Sequence, residues 1–385
     1  MSEPTVRPAA VAEEDAARPS SAAEERVSVA TQWQLMWWRF KKHRLAMIST
    51  AVVLLFYLVV VFADFLAYSD PLASEAQRSL LPPQRIQWFD EGRFSPHVYG
   101  LTGVRDPMTF KRVYTPDPSQ KIAIRFFVSG FQYYVFGLIP MRLHLIGVAD
   151  GTPEEKLFIL GTDEQGRDLW SRLMYGTRTS MSIGLVGVGL SLILGVFLGG
   201  VSGLYGGILD TVIQRVIEIL QSLPTIPIWL LMTAALPQDW RPDQVFFAIT
   251  LILAFIGWTT LGREVRGRFL SLREEDFVLA AELVGASRLR VIVRHMVPAF
   301  TSHIIAASTL AIPVMIISET SLSFLGLGIR PPAISWGVLL QEAQNIQTVA
   351  LAPWLLLPGV MVILAVLVFN LIGDGLRDAA DPYGH

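Results

Sequence analysis

Long stretches without a charged residue alternate along the chain with shorter polar breaks. Leu45 to Ala63, Thr179 to Leu209, Ile219 to Gln238, Gln244 to Gly262 and Ala343 to Gly373 contain no Asp, Glu, Lys or Arg, and Phe300 to Leu325 is interrupted only by His303 and Glu319. Each reaches the ~20 residues a helix needs to cross bilayer hydrocarbon. The pattern predicts an all-α polytopic membrane protein with six transmembrane helices. Phe126 to Met141 is also uncharged, but it holds 16 residues and includes Gly130, Gly137 and Pro140. Counting it as a span would invert every later loop, so it is assigned to the polar region between the first and second spans.

The remaining sequence organises around those spans. Residues 1–30, rich in Ala, Ser, Glu and Pro, read as a disordered cytoplasmic tail without the apolar core of a signal peptide. Residues 31–66 hold a basic aromatic segment and the first span. There Arg39, Lys41, Lys42 and Arg44 place this end in the cytoplasm, and Trp33, Trp37 and Trp38 suit the headgroup layer. Residues 67–159 form a long, proline-punctuated external insertion with strand content expected around Lys121 to Val148, where Ile122, Ile124 and Phe126 alternate. Residues 160–376 form the helical core, with a charged loop at 263–298, and 377–385 a polar cytoplasmic end. Six spans place both termini inside, together with that loop and its Arg263, Arg266, Arg268, Arg273, Arg288, Arg290 and Arg294.

Several local signals carry expectations. Leu160 to Arg178 reads as an amphipathic helix on the outer membrane surface, opened by a Thr162/Gln165 capping box, with Asp163–Arg167 and Asp168–Arg172 pairs. The second span carries GxxxG spacings at Gly195, Gly199 and Gly203, read as close helix packing rather than a sliding interface. Arg215 and Glu218 are spaced to pair. Pro224 and Pro227 interrupt the third span and predict a kink. Glu319 is an intramembrane acid, flanked by Ser318 and Ser321. These five polar and proline positions are candidates for a translocation or gating role, with snorkelling to the outer surface the plainer alternative for Glu319.

The loop between the fourth and fifth spans cannot sit in lipid. Ser271 and Glu274 have capping-box spacing; Phe277, Ala280, Ala281 and Val284 make a narrow stripe at helical spacing. Gly285 is placed to close that helix, Ser287 to cap a second and Pro298 to end it. A solvated, charge-rich linker is the plain reading of such a segment.

Composition changes the picture by exclusion. Hydrophobic residues make up 52% of the 385, charged residues 17%, and the net charge is −2, so neither a soluble enzyme nor a nucleic-acid binder fits. Cysteine is absent, and the six histidines have no HExxH or comparable ligand spacing, so no metal or cofactor is expected in this chain. No GxxxxGK[ST] and no GxSxG occur, so any ATP hydrolysis must lie on another polypeptide.

The charged loop resembles the EAA loop of ABC-transporter permeases of the binding-protein-dependent type. The family's E-A-A triplet, glycine and proline fall on Leu279, Ala280, Ala281, Gly285 and Pro298, with Leu279 in place of the usual glutamate and His295 where isoleucine is common. Four further blocks, LGTDEQGRDLWSRLMYGTRTS, YGGILDTVIQRVIEILQSLP, ETSLSFLGLGIRPPAISWG and FNLIGDGLRDAADP, resemble the dipeptide and oligopeptide subfamily, C-type subunit. The insertion before LGTD is longer than that subfamily usually has. The resemblance implies a type I importer permease fold and a non-catalytic transmembrane subunit in the bacterial inner membrane. It implies as partners a homologous B-type permease, two ABC ATPase subunits carrying ATP and Mg, and a periplasmic solute-binding protein. Glu275, Asp276, Phe277, Ala280, Ala281, Glu282, Gly285 and Ala286 would form the surface that docks on an ATPase. Peptide is the expected solute, with oligosaccharide, opine or nickel as alternatives; a passive channel or membrane scaffold is the alternative from a different class.

Overall fold

The computed structural model describes residues 31–105, 107, 112–135, 137–148 and 156–380. The tail expected at 1–30 and the last five residues lie outside them. Helix α1 (Gln32–Lys42) starts at a Thr31/Gln34 capping box and runs through His43 into α2 (Arg44–Leu66). Four strands follow, β1 (Gln87–Asp90), β2 (Arg93–Arg105), β3 (Arg112–Val135) and β4 (Ile139–Val148), forming one antiparallel meander in chain order. The chain then continues through α3 (Leu169–Tyr205), α4 (Gly207–Ser222), α5 (Thr225–Ala234), α6 (Pro242–Leu272) and α7 (Asp276–Leu283). Next, α8 (Arg288–Val291) passes through a π-helical turn at Ile292–Met296 into α9 (Val297–Ala299). The last elements are α10 (Thr301–Phe324), α11 (Trp336–Gln341), α12 (Ile346–Leu351) and α13 (Leu357–Ala380).

Five helical segments, α2, α3, α6, α10 and Pro353–Ala380, are long and apolar enough to cross a membrane. The pair α4 and α5 makes a sixth, bent by 90° between Ser222 and Thr225, where the sequence places Pro224. Proline supplies no backbone N–H and restrains the residue before it, so the helix stops at Leu223 and restarts with Pro224 as the N-cap of α5. The prolines thus do more than kink this span; they split it.

Small residues set the helix contacts. A Cβ on Gly199 would collide with the Gly262 carbonyl oxygen and approach the Gly262 Cα and Val265 Cβ at 3.0 Å, and one on Gly203 would stand 2.5 Å from the Phe269 Cβ. The glycines of α3 therefore let α6 approach backbone to backbone, the packing reading of the GxxxG spacing. The first and last helices also meet, where a Cβ on Gly375 would lie 2.5 Å from Ala46 and 3.4 Å from the Phe40 ring.

Strand content is larger than the sequence indicates, since β3 alone spans 112–135. Ile122 and Ile124 are buried with Val98 and Leu157, as the alternation predicts, but Phe126 is exposed. Phe127 follows at φ +57, and this left-handed residue breaks the alternation. The uncharged run from Phe126 to Met141 is the β3–β4 hairpin, not a span.

The amphipathic helix expected from Leu160 does not form. Helix α3 begins at Leu169, capped by the Asp168 carboxylate accepting from the Ser171 N–H. Residues 160–168 instead make a tight loop. Thr162 Oγ1 accepts from the Leu81 N–H and donates to the Arg78 carbonyl, so the hydroxyl bonds across the fold rather than capping a helix.

Candidate coupling surface and buried polar networks

The charged loop is built around one anchored helix. α6 continues through Leu272, so Ser271 lies inside it and the Ser271/Glu274 capping box does not form; Glu275 is the N-cap of α7 and makes no side-chain cap bond. The C-terminus is as the sequence indicates. Gly285 sits at φ +84, the Ala286 N–H bonds the Ala281 carbonyl at 3.0 Å, and the Gly285 N–H bonds the Glu282 carbonyl at 2.9 Å. Together these form a Schellman motif, which satisfies carbonyls a helix end would otherwise leave open. Ser287 then caps α8 through the Arg290 N–H, and Pro298 comes two residues before the break at Phe300.

Burial of α7 divides its residues in two. Val278 is fully buried, and with partly buried Ala281 and Ala286 it packs into a cluster made by Val265 and Phe269 of α6, Val291, Ile292 and Met296 of the second helix, and Ile304 of α10. Leu283 and Val284 are each 89% exposed, Phe277 is 42% and Leu279 46%. Glu275, Asp276, Ala280 and Glu282 are exposed too. The stripe seen in the sequence therefore faces outward for the most part, and the contact that seats the helix is Val278, a position that stripe omits. Leu279, at the family's glutamate position, belongs to the outward side.

Glu319 is fully buried and does not snorkel. Its carboxylate accepts from the Ser180 hydroxyl of α3 at 2.9 Å and from the Ser323 hydroxyl at 2.8 Å. Each serine in turn accepts a backbone N–H, Trp336 on Ser180 at 3.1 Å and Ile329 on Ser323 at 3.0 Å. One acid thus ties α3, α10 and the loop 325–335 together. Ser318 is buried and bonds back to the Val314 carbonyl, Ser321 is half-buried, and Pro224 and Pro227 are exposed at the split span. Ser318, Glu319 and Ser321 share α10, while Pro224 and Pro227 lie at and just after the break between α4 and α5.

A second network lies near the sheet. Asp163 Oδ2 accepts from Arg167 Nε at 2.7 Å and from Arg172, while Glu342 Oε1 accepts from Arg167 at 2.5 Å and from Arg172 at 3.0 Å. The Asp163–Arg167 pair is the one the spacing indicates; Asp168 pairs instead with the Tyr68 hydroxyl at 2.7 Å, leaving Arg172 to the other two acids. Burial pushes Asp168 up to about 6. At the far end of the bundle Arg266 grips Asp210 through two bonds of 2.5 and 2.6 Å. Glu342 and Asp210 were not legible as partners, because their arginines lie 170 and 56 residues away in sequence.

Residues 191–383 match the family model for the inner membrane component of binding-protein-dependent transport systems. The chain belongs to that family. This permease also matches, over residues 31–83, the N-terminal transmembrane domain of oligopeptide transport permease C. It is 35% identical over 231 residues to the oligopeptide transport system permease protein OppC of Bacillus subtilis, covering 60% of this chain and 73% of that one. To the dipeptide transport system permease protein DppC of Alkalihalophilus pseudofirmus it is 39% identical over 223 residues, covering 58% and 71%. Among solved structures, the inward-facing MetNI methionine ABC transporter aligns over 55% of this chain and 97% of that chain, with 16% identity and a TM-score of 0.42. The permease is thus a multi-pass membrane component of a binding-protein-dependent transporter. The two matched segments contain α1, α2 and α4 to α13, and the sheet at 87–148 lies between them.

Proposed function

We propose that this permease is the C-type transmembrane subunit of an ATP-driven peptide importer, and that α7 is the part on which an ATPase subunit acts. The observation that carries the reading is α7 itself. A helix in a segment too charged for lipid leaves Phe277, Leu283 and Val284 exposed while Val278 fixes it to α6 and α10. Exposed apolar side chains on a polar, well-anchored element mark a protein interface. Glu275, Asp276 and Glu282 around them offer charge to a partner's rim. With both termini and this loop inside the cell, two ATPase subunits binding ATP and Mg would meet α7 there. A homologous B-type permease and a periplasmic solute-binding protein complete the assembly.

Peptide is the solute because the relatives at 35% and 39% identity are oligopeptide and dipeptide permeases. Closure of the ATPases would shift the bundle only by binding its two conformations with different affinity. Purification of the tagged permease from its own membranes, followed by nucleotide hydrolysis and labelled-peptide uptake, tests the reading. ATPase subunits should co-purify with the wild type and be lost from a Leu283→Asp, Val284→Asp variant that still inserts. Retention of the ATPase in that variant would refute the docking role, and uptake of an oligosaccharide in place of peptide would refute the solute.

A further inference from the structure

The split in the third span falls inside the membrane. Asp210, near the start of α4, is held by Arg266 of α6, and Gln221, near its end, bonds the Thr259 hydroxyl at 3.2 Å, so α4 climbs along α6 from the charged end of that helix. Thr259 lies within the uncharged run of α6, four residues or about 6 Å from Arg263, the charge that ends the run. Beyond the split, Thr233 of α5 and Val245 of α6 line one crevice, and Val245 belongs to the opposite end of the same run. Thr233 is eight residues, about 12 Å, along α5 from Thr225. Both flanks are therefore level with the uncharged run, and the turn from Ser222 to Thr225 between them lies at hydrocarbon depth.

A turn at that depth leaves backbone groups open. In a continuous helix the carbonyls of Leu220 and Leu223 would accept from residues 224 and 227, and both are prolines without an N–H. No backbone hydrogen bond joins α4 to α5 among the described residues, so the amides of Thr225 and Ile226 also miss the partners a continuous helix would supply. Residues 221–227 are all exposed, with Leu223 at 46% and Ile226 at 50%. Lipid offers such groups no partner, so non-helical backbone persists at this depth only against protein or water.

The face of α4 that leads to the turn decides between those two. Thr211, Arg215, Glu218 and Ser222 share one side of the helix by spacing, and all four are exposed, the Arg215 side chain to 73% and the Glu218 side chain to 51%. Asp210, Ile217 and Gln221, which face α6 or the interior, lie well round the helix from that side. Arg215 and Glu218 pair with each other at 2.6 Å. The buried core of a subunit contact is depleted of charge, whereas a water-filled cavity leaves such a pair its hydration.

We propose that the α4–α5 turn, together with the Thr211 to Ser222 face that leads to it, lines the water-filled passage through which the transporter moves its solute. This rests on the permease being a solute-moving subunit, and not on the solute being peptide. The open main-chain groups at the turn offer a passing solute neutral hydrogen bonds, which replace water without the strong hold of a charged side chain. The chain contains no cysteine, so single introduced ones report access. Leu223→Cys and, separately, Thr225→Cys are made in the full-length permease, purified with the subunits that accompany it and reconstituted in phosphatidylcholine–phosphatidylglycerol vesicles. Leu54→Cys, at a site 60% exposed midway along the first span, is the hydrocarbon reference. A charged methanethiosulfonate present on both sides of the membrane should modify both turn sites at least tenfold faster than the Leu54 site, either without nucleotide or after trapping with ATP and vanadate. Rates at the turn no higher than at the Leu54 site in both states would overturn the proposal, in favour of a turn sealed by a second subunit or by lipid. Fast modification of the turn in a transporter that takes up a solute other than peptide would support the passage while ending the peptide reading.

Discussion

Removing the Glu319 carboxylate is expected to loosen the loop between α10 and α11 before it unfolds the bundle. In Glu319→Ala the hydroxyls of Ser180 and Ser323 lose their common acceptor. A buried donor left without a partner costs about 1–3 kcal/mol, so the two together set a range of about 2–6 kcal/mol. Either serine can rotate back onto a carbonyl of its own helix, which brings the expected cost towards the lower limit, about 2 kcal/mol. Much of it should fall on the loop, because the same serines hold the Trp336 and Ile329 amides. About 2 kcal/mol corresponds to roughly a thirtyfold rise in the fraction of time the loop is open. A cysteine at Ala333, a small and half-buried site in a chain without other cysteines, reports that opening through its maleimide labelling rate. Glu319→Gln keeps one carbonyl acceptor and should give a smaller rise. Equal labelling rates and equal thermal midpoints in wild type and Glu319→Ala would refute the reasoning, since a side chain that merely fills space would leave the loop closed.

Other expectations rest on separate contacts. Gly199→Ala should lower the stability of the permease by about 1–3 kcal/mol, because its Cβ meets the α6 backbone. Gly189→Ala in the same helix meets nothing within 4 Å and should instead be neutral or stabilising by up to ~1 kcal/mol, so paired thermal midpoints check both. Asp168 is raised by burial from its ordinary 3.8 to about 6, so its contribution to stability is full at low pH and is lost as pH rises through about 6. Asp168→Asn should therefore flatten the change in thermal midpoint between about pH 4 and 7, read against the wild type. Gly285→Ala would meet no atom within 4 Å, yet the φ of +84 should cost about 1–2 kcal/mol at the end of α7. Hydrolysis without matching uptake would be its signature, and unchanged uptake would count against α7 as the driven element.

Local patterns survived into the structure where their partners lie within one helix turn or within lipid. The spans were legible because hydrocarbon imposes ~20 apolar residues on any helix that crosses it. The Schellman end at Gly285 was legible because only glycine takes φ +84 without strain. Boundaries failed where a spacing fits two geometries. Asp168 can be read as a helical i,i+4 partner of Arg172, but it caps α3 and the arginine reaches Glu342. Ser271 and Glu274 have a capping box's spacing, but the apolar face of α6 runs on to Phe269 and carries Ser271 inside the helix. Val278 was missed because a stripe shows which residues share a face and not which face meets the protein.

The distribution of buried polar contacts bears on how work applied at α7 would travel. Towards the sheet, α3 is fastened to its neighbours by Glu319, by the Asp163–Arg167–Arg172–Glu342 cluster and by the Asp64–Arg178 pair. Around α7 the seat itself is apolar, while the polar contacts nearby join α6 to α4 through Arg266 and Asp210, α3 to α4 through Ser202 and Asp210, and α6 to α10 through Glu264 and His303. Directional bonds resist relative motion of the helices they join, whereas an apolar cluster can slide and repack at smaller cost. A displacement of α7 through Val278 would act first on the inner ends of α6 and α10, and α6 would carry α3 with it, because Gly199 and Gly203 leave no lubricating side chain between them. The sheet end would then serve as the pivot and the α7 end as the moving arm. Arg266→Met should loosen that arm by removing the ion pair between α4 and α6 and leaving them the weaker Gln221–Thr259 bond, lowering peptide uptake per ATP hydrolysed while ATPase retention is unchanged. Uptake per ATP equal to wild type would mean that α4 does not travel with α6, and that the motion leaves the bundle by another helix.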